Sequence, residues 1–229
     1  MPNVQWTKSL LAATLLSFSI CIAAEAPDVE PITDPQALQA RGFDPDGPPI
    51  YRFVQPTDDR ALAVRIEERE LAESQNMPAG AGTSSVNWVT AQATDFQFLR
   101  DQNAYTTQGN HILSCATDGL NRFADAPIRV ARGARLRWLD VWTFDNSVSD
   151  NVDVALYQAC QPFLSGGAPV VTELGMIQGS GNPGELFQFV NLPEAFAQNR
   201  TCTYWVRAMF SSCAADTDVR VNKVQVLWE

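Results

Sequence analysis

Trp138, Asp140, Trp142 and Phe144 fall at alternate positions of one stretch, residues 135–144. Successive side chains of a β-strand point to opposite faces, so these four share a side if the stretch is extended. Trp205 and Arg207 alternate in a later stretch, out of phase with Tyr204, Val206, Ala208 and Phe210, which form the better core face. If the two non-core faces adjoin, Trp138, Trp142 and Trp205 become a platform of flat rings, with Asp140 and Arg207 among them. Sugars bind such surfaces by stacking on rings and by hydrogen bonds to side chains. The plainer reading is that the indoles cover an edge of the fold or pack beneath the N-terminal part of the chain.

A second cluster is acidic. Asp145, Asp150 and Asp153, with Asn146 and Asn151, lie within nine residues. Ca²⁺ takes six to eight oxygen ligands, so this segment is a candidate cation loop. A turn rich in Asp and Asn for conformational reasons explains the same residues without a metal. Ca²⁺ is the one cofactor the sequence suggests.

Catalytic patterns are sparse. The single histidine, His111, removes chemistries that need two or three imidazoles. No serine sits in G-x-S-x-G, and there is no phosphate-binding or dinucleotide-binding glycine pattern. The 26 acids offer too many carboxylate pairs to point to any one. The expected function is a non-catalytic binding or structural module. Its partner is an extracellular polysaccharide or an envelope protein. A secreted hydrolase acting on such a polymer is the alternative.

The 229-residue chain has 16 basic and 26 acidic side chains, a net charge of −10. That charge disfavours nucleic acid and a basic membrane-surface helix. Lys8 precedes a run of apolar and small residues over 9–24, which reads as a secretory signal ending at Ala24 or Ala26. Pro27 disfavours the second site, and Ile20 before Cys21 disfavours a lipoprotein. The run is too short for a confident membrane span, and no later segment approaches one. Loss of Lys8 leaves 15 basic against 26 acidic side chains, a charge of −11. The expected location is secreted or periplasmic. Asn199-Arg200-Thr201 is a formal glycosylation sequon, which matters only in a eukaryotic secretory pathway.

Cys115, Cys160, Cys202 and Cys213 remain after the signal, enough for two disulfides. Cys202 and Cys213 bracket one strand, so they are the least suited pair. Cys160 ends one strand and Cys202 begins another. If those strands are antiparallel neighbours, the two cysteines meet, leaving Cys115 for Cys213.

Seven prolines crowd residues 27–57. Each fixes φ and removes a donor, so 25–57 is expected to be an extended arm or linker, with 27–57 dispensable for folding. Within it, Asp44-Pro45-Asp46-Gly47 reads as a proline turn. Residues 58–74 form a helical pattern within a helix-and-linker segment, 58–83. Residues 84–229 alternate short strand-like runs with turn signals, which predicts an all-β fold, an antiparallel sandwich of jelly-roll type. Val219 and Val221 are out of phase with Val224, Val226 and Trp228, which calls for a bulge near Asn222–Lys223.

The run from Gly133 to Ser147, then Asn151-Val152-Asp153-Val154-Ala155-Leu156-Tyr157, carries a resemblance. A glycine-rich hairpin, a Tyr204-Trp205-Val206 strand and a closing valine-rich strand follow. The chain resembles a broad set of uncharacterised secreted bacterial proteins with one β-sandwich domain. The resemblance implies that fold and agrees with export. It brings no activity and no site residues.

Overall fold

Strands form where apolar and polar residues alternate between turn-forming clusters. The computed structural model describes residues 29–54, 87–98, 105–108, 111–114, 122–145, 147, 150–161, 167–179, 184–192, 201–211 and 219–229. In chain order the strands are β1 (Val29–Pro31), β2 (Ile50–Phe53), β3 (Asn87–Gln92), β4 (Gln97–Phe98) and β5 (Tyr105–Gln108). Then come β6 (His111–Ser114), β7 (Phe123–Ile128), β8 (Leu136–Asp145) and β9 (Val152–Cys160). The last four are β10 (Val170–Ile177), β11 (Gly184–Asn191), β12 (Cys202–Phe210) and β13 (Val219–Trp228). One six-residue helix, α1 (Pro35–Ala40), lies between β1 and β2.

The strands make two sheets. Sheet A runs β1-β2-β10-β9-β12-β7-β4, and sheet B runs β11-β8-β13-β6-β5, with β3 also on β13. Among the described pairs, only β2 with β10 is parallel. The all-β antiparallel sandwich predicted by the turn spacing is the fold observed.

The core lies between the sheets. Sheet A contributes Val154, Leu156, Tyr204, Val206, Ala208 and Phe210, and sheet B contributes Leu139, Val141, Val221, Val224 and Val226. The face of β12 chosen from its alternation is therefore the core face. Two bulges reconcile β8 and β13 with this core. The register shifts between Val221 and Lys223, where the phase change called for it, and again between Leu227 and Trp228. The second shift leaves Arg137 as an extra residue, so Leu136 and Leu139 both enter the core.

Cys202 pairs with Cys160 in the β9–β12 register, and the two form a disulfide. The pairing argued from antiparallel neighbours is thus present. Cys115 and Cys213 lie outside the described residues, as does the helical segment 58–74.

The proline-rich segment is not a free arm, and this corrects the sequence reading. Strand β1 pairs with β2, and β2 extends sheet A beside β10. Ile32, Leu38 and Ile50 form a small buried cluster against Phe43 and Val171. Pro31, Pro35 and Pro45 sit where a missing donor costs nothing. Pro31 is on an edge strand, and Pro35 opens α1, capped by the Asp34 carboxylate accepting from the Gln36 N–H at 2.9 Å. Asp44-Pro45-Asp46-Gly47 is the expected turn, with the Gly47 N–H donating to the Asp44 carbonyl at 3.0 Å.

Candidate functional site

The outer face of sheet B gathers side chains from four strands in register. Strand β8 supplies Trp138, Asp140, Trp142 and Phe144, the residues that alternate with its core positions. Opposite them on β11 stand Asn191, Phe189, Phe187 and Glu185. On the other side β13 supplies Leu227, Gln225, Lys223 and Arg220. Beyond β13, β3 adds Trp88, Thr90 and Gln92 to the first three rows. Three interstrand steps of about 4.8 Å make the face roughly 14 Å across.

Large apolar rings stand exposed at both ends of these rows. Phe187 and Phe189 are 46% and 38% exposed on β11, and Trp88 is 53% exposed on β3. Phe187 stacks beside Phe189 with ring centroids 6.3 Å apart, and Trp142 tilts against Phe187 at 4.8 Å. The Lys223 ammonium lies 3.6 Å from the centroid of the Trp142 ring. Between the rings runs a polar row of Asp140, Gln225 and Thr90, in which the Gln225 amide donates to Thr90 Oγ1 at 2.9 Å. Trp138 and Asp140 are almost fully buried, so they support the face from below.

The structure does not bring Trp205 and Arg207 to this face. They lie on the outer side of sheet A, on the far side of the sandwich, where Arg41, Gly42 and Phe43 pack on Arg207. Both guanidinium edges of Arg207 are used. Nε and Nη2 donate to the two oxygens of Asp125 at 2.7 Å each, and Nη1 donates to the Arg41 carbonyl at 2.8 Å. The Phe43 ring lies 4.7 Å from the guanidinium carbon. Trp205 stacks on Tyr157 at 5.5 Å. The platform drawn from alternation alone therefore splits: Trp138, Asp140 and Trp142 share one face, whereas Trp205 and Arg207 lie on the other, where Arg207 fastens the N-terminal segment.

Beside Arg207 lies a buried polar triad. Tyr157 Oη donates to Glu173 Oε2 at 2.8 Å, and Arg41 Nε donates to the same oxygen at 2.8 Å. Burial, then the Glu173 charge, pushes the Tyr157 hydroxyl well above the ordinary phenol range. Burial also raises the Asp153 carboxyl, against the hydrogen bond it accepts from the Gly179 N–H. Arg41 is raised: its hydrogen bond and charge contact with Glu173 outweigh burial, the largest single effect, which lowers it. These groups bind segment to sheet.

The three candidate calcium ligands are each engaged in the fold. Asp145 Oδ1 accepts from the Ser147 N–H at 2.8 Å, and Asp150 Oδ2 accepts from the Ser147 hydroxyl at 3.3 Å. Asp153 lies on β9 in the other sheet and accepts from Gly179 at 2.9 Å. Among the described residues no three of His, Cys, Asp and Glu gather as a metal site requires. The alternative of a Ser–His hydrolase rests on His111, of whose side chain nothing is described.

Sequence reasoning missed Phe187, Phe189, Trp88 and Lys223. The signal for the first two was present, since Phe187 and Phe189 alternate with Leu186, Gln188 and Val190. Trp88 and Lys223 carry no such local signal, because only the register of β3, β13 and β8 places them beside those rings.

No protein-family model matches the chain, and no curated protein matches it. Several solved structures share a slight likeness. One is the carbohydrate-binding module 36-1 domain of a multidomain xylanase from the hindgut metagenome of Trinervitermes trinervoides. It is 8% identical with a TM-score of 0.34, over 61% of this chain and 96% of that one. Another is the C-terminal family 6 carbohydrate-binding module of a marine laminarinase from Zobellia galactanivorans. It is 12% identical with a TM-score of 0.33, over 61% and 98%. A third is a β-(1,4)-mannanase from Podospora anserina, a family 26 glycoside hydrolase with a family 35 module, 14% identical with a TM-score of 0.31. That match spans 62% of this chain and 28% of the mannanase. At these values the likeness carries no ligand, activity or family to this chain.

Proposed function

We infer that this chain is an exported, non-catalytic binding module whose outer sheet B face holds an extended polysaccharide. The observation that carries the reading is the row geometry. Exposed Phe187, Phe189 and Trp88 flank the polar pair Gln225 and Thr90 on a hydrogen-bonded sheet. Exposed large apolar side chains grouped on one face mark interaction surfaces. Rings alternating with hydrogen-bonding groups suit a ligand that is itself flat and polar at its rim. A sheet fixes the rings before binding, so little ordering cost remains. Export is supported by the signal-like residues 9–24 and by the Cys160–Cys202 bridge, since disulfides persist in oxidising compartments. Among the described residues no helix is long and apolar enough to cross a membrane.

The test is retention of the full chain by immobilised polysaccharides, with and without the double substitution Phe187→Ala/Phe189→Ala. We expect the variant to lose at least roughly tenfold in affinity, as interface aromatics do on truncation. Its melting temperature should change little, because both rings are exposed. Unchanged retention by the folded variant would place the ligand elsewhere on the molecule.

A further inference from the structure

Sheet B carries three cations that lie on successive rings of β8. Arg137 lies over Trp138 at 5.3 Å, Lys223 over Trp142 at 3.6 Å and Arg220 over Phe144 at 5.1 Å. Together they form a basic stripe in a chain with 26 acidic and 16 basic side chains. Acids also line it: buried Asp140 lies in the row next to Lys223, Glu185 stands beside Phe144 at one end, and Glu229 lies 3.5 Å from Arg137 at the other.

Lys223 is the central cation. It occupies the same row as Phe187 and Trp142, next to the row of Phe189, Asp140 and Gln225. An ammonium has three N–H donors and no acceptor. The Trp142 ring attracts its charge but leaves those donors for groups lying over the face. A ligand stacked on Phe187 and Phe189 brings its substituents to that ammonium. A carboxylate there would accept a charge-assisted hydrogen bond, shorter and about twice as strong as a neutral one.

We propose that the polysaccharide held on this face is acidic, bearing carboxylates along its chain, and that Lys223 reads them. The proposal rests on the reading of this face as a polysaccharide site. The chain's overall negative charge does not forbid it. At about 0.1 M salt the Debye length is roughly 10 Å, so distant acids are screened while the stripe meets the ligand directly.

The experiment is affinity electrophoresis of the full chain in gels containing polygalacturonate, alginate or hyaluronan, against neutral galactan, mannan and β-glucan. Retention is expected in at least one acidic gel and to be much weaker in the neutral ones. It should fall as salt rises from about 0.1 M to 1 M. Lys223→Met, which keeps the stem over Trp142, should weaken acidic retention roughly tenfold and flatten the salt dependence. Lys223→Arg should retain most of it. Equal or stronger retention by neutral polymers would overturn the acidic specificity and leave the polysaccharide site standing. Retention by none would overturn both. Equal retention by single-stranded DNA would show that the face reads charge alone and would also overturn the proposal. The comparison of polymers uses the unsubstituted chain, so it decides the matter even if a variant fails to fold.

Discussion

Removing the Cys160–Cys202 bridge, by Cys160→Ala/Cys202→Ala, is expected to cost about 4 kcal/mol. The two cysteines are 42 residues apart in sequence, and a loop of that length restrains the unfolded chain by about that amount in the chain-entropy account. The residues face each other in the β9–β12 register, so the bond joins strands that are already neighbours in sheet A. Its contribution therefore lies in the unfolded state more than in the folded one. Chemical denaturation of the double variant checks this, with no reductant present to disturb other cysteines. A stability equal to that of the unsubstituted chain would mean that the bridge does not form.

Arg207→Met is expected to destabilise the fold by about 3 kcal/mol and to loosen residues 29–54 from sheet A. The substitution keeps the apolar stem and removes the guanidinium. Asp125 then loses both 2.7 Å hydrogen bonds, and the Arg41 carbonyl loses its donor. Leaving one member of a buried pair without its partner costs about 3–5 kcal/mol. We take the lower end because the Asp125 side chain keeps 23% of its surface in water. For a chain of this size, about 3 kcal/mol corresponds to a fall in melting temperature of roughly 6–12 °C. Limited proteolysis should also begin to cut within residues 41–49. An unchanged melting temperature with a resistant N-terminal segment would show that this arginine does not hold the segment in place.

The expectation of an extended arm over 25–57 fails for a physical reason. Proline is excluded from strand and helix interiors by its missing donor, but edge strands, helix starts and turns do not use that donor. Pro31, Pro35 and Pro45 occupy those three kinds of place. Local composition shows that prolines are present and not which partner they face. The core faces were legible because burial imposes strict alternation, as in Tyr204, Val206, Ala208 and Phe210. The bulge near Asn222 was legible for the same reason, since Val219 and Val221 could not otherwise share a face with Val224. The Cys160–Cys202 pair followed from two strand ends. The outer faces were not legible in this way. Alternation sets Arg207 apart from the core, but it does not say that Phe43 and Arg41, more than 160 positions earlier, will cover it. Phe187, Trp142 and Lys223 become neighbours only through cross-strand register, which couples β11, β8 and β13 over 80 residues of sequence.

The exposed face of sheet B is expected to bind the ligand, and the outer face of sheet A is not. The most direct measurement compares Trp88→Ala with Trp205→Ala, scoring melting temperature and polysaccharide retention on the same samples. Trp88 is an exposed ring in the first row of the sheet B face, whereas Trp205 is stacked on Tyr157 on the outer face of sheet A. Trp88→Ala is expected to keep its melting temperature and lose retention. Trp205→Ala is expected to melt several degrees lower, by roughly 2–3 kcal/mol of lost packing, while its folded fraction is retained as before. Full retention by Trp88→Ala, with retention lost in folded Trp205→Ala, would put the ligand on sheet A instead.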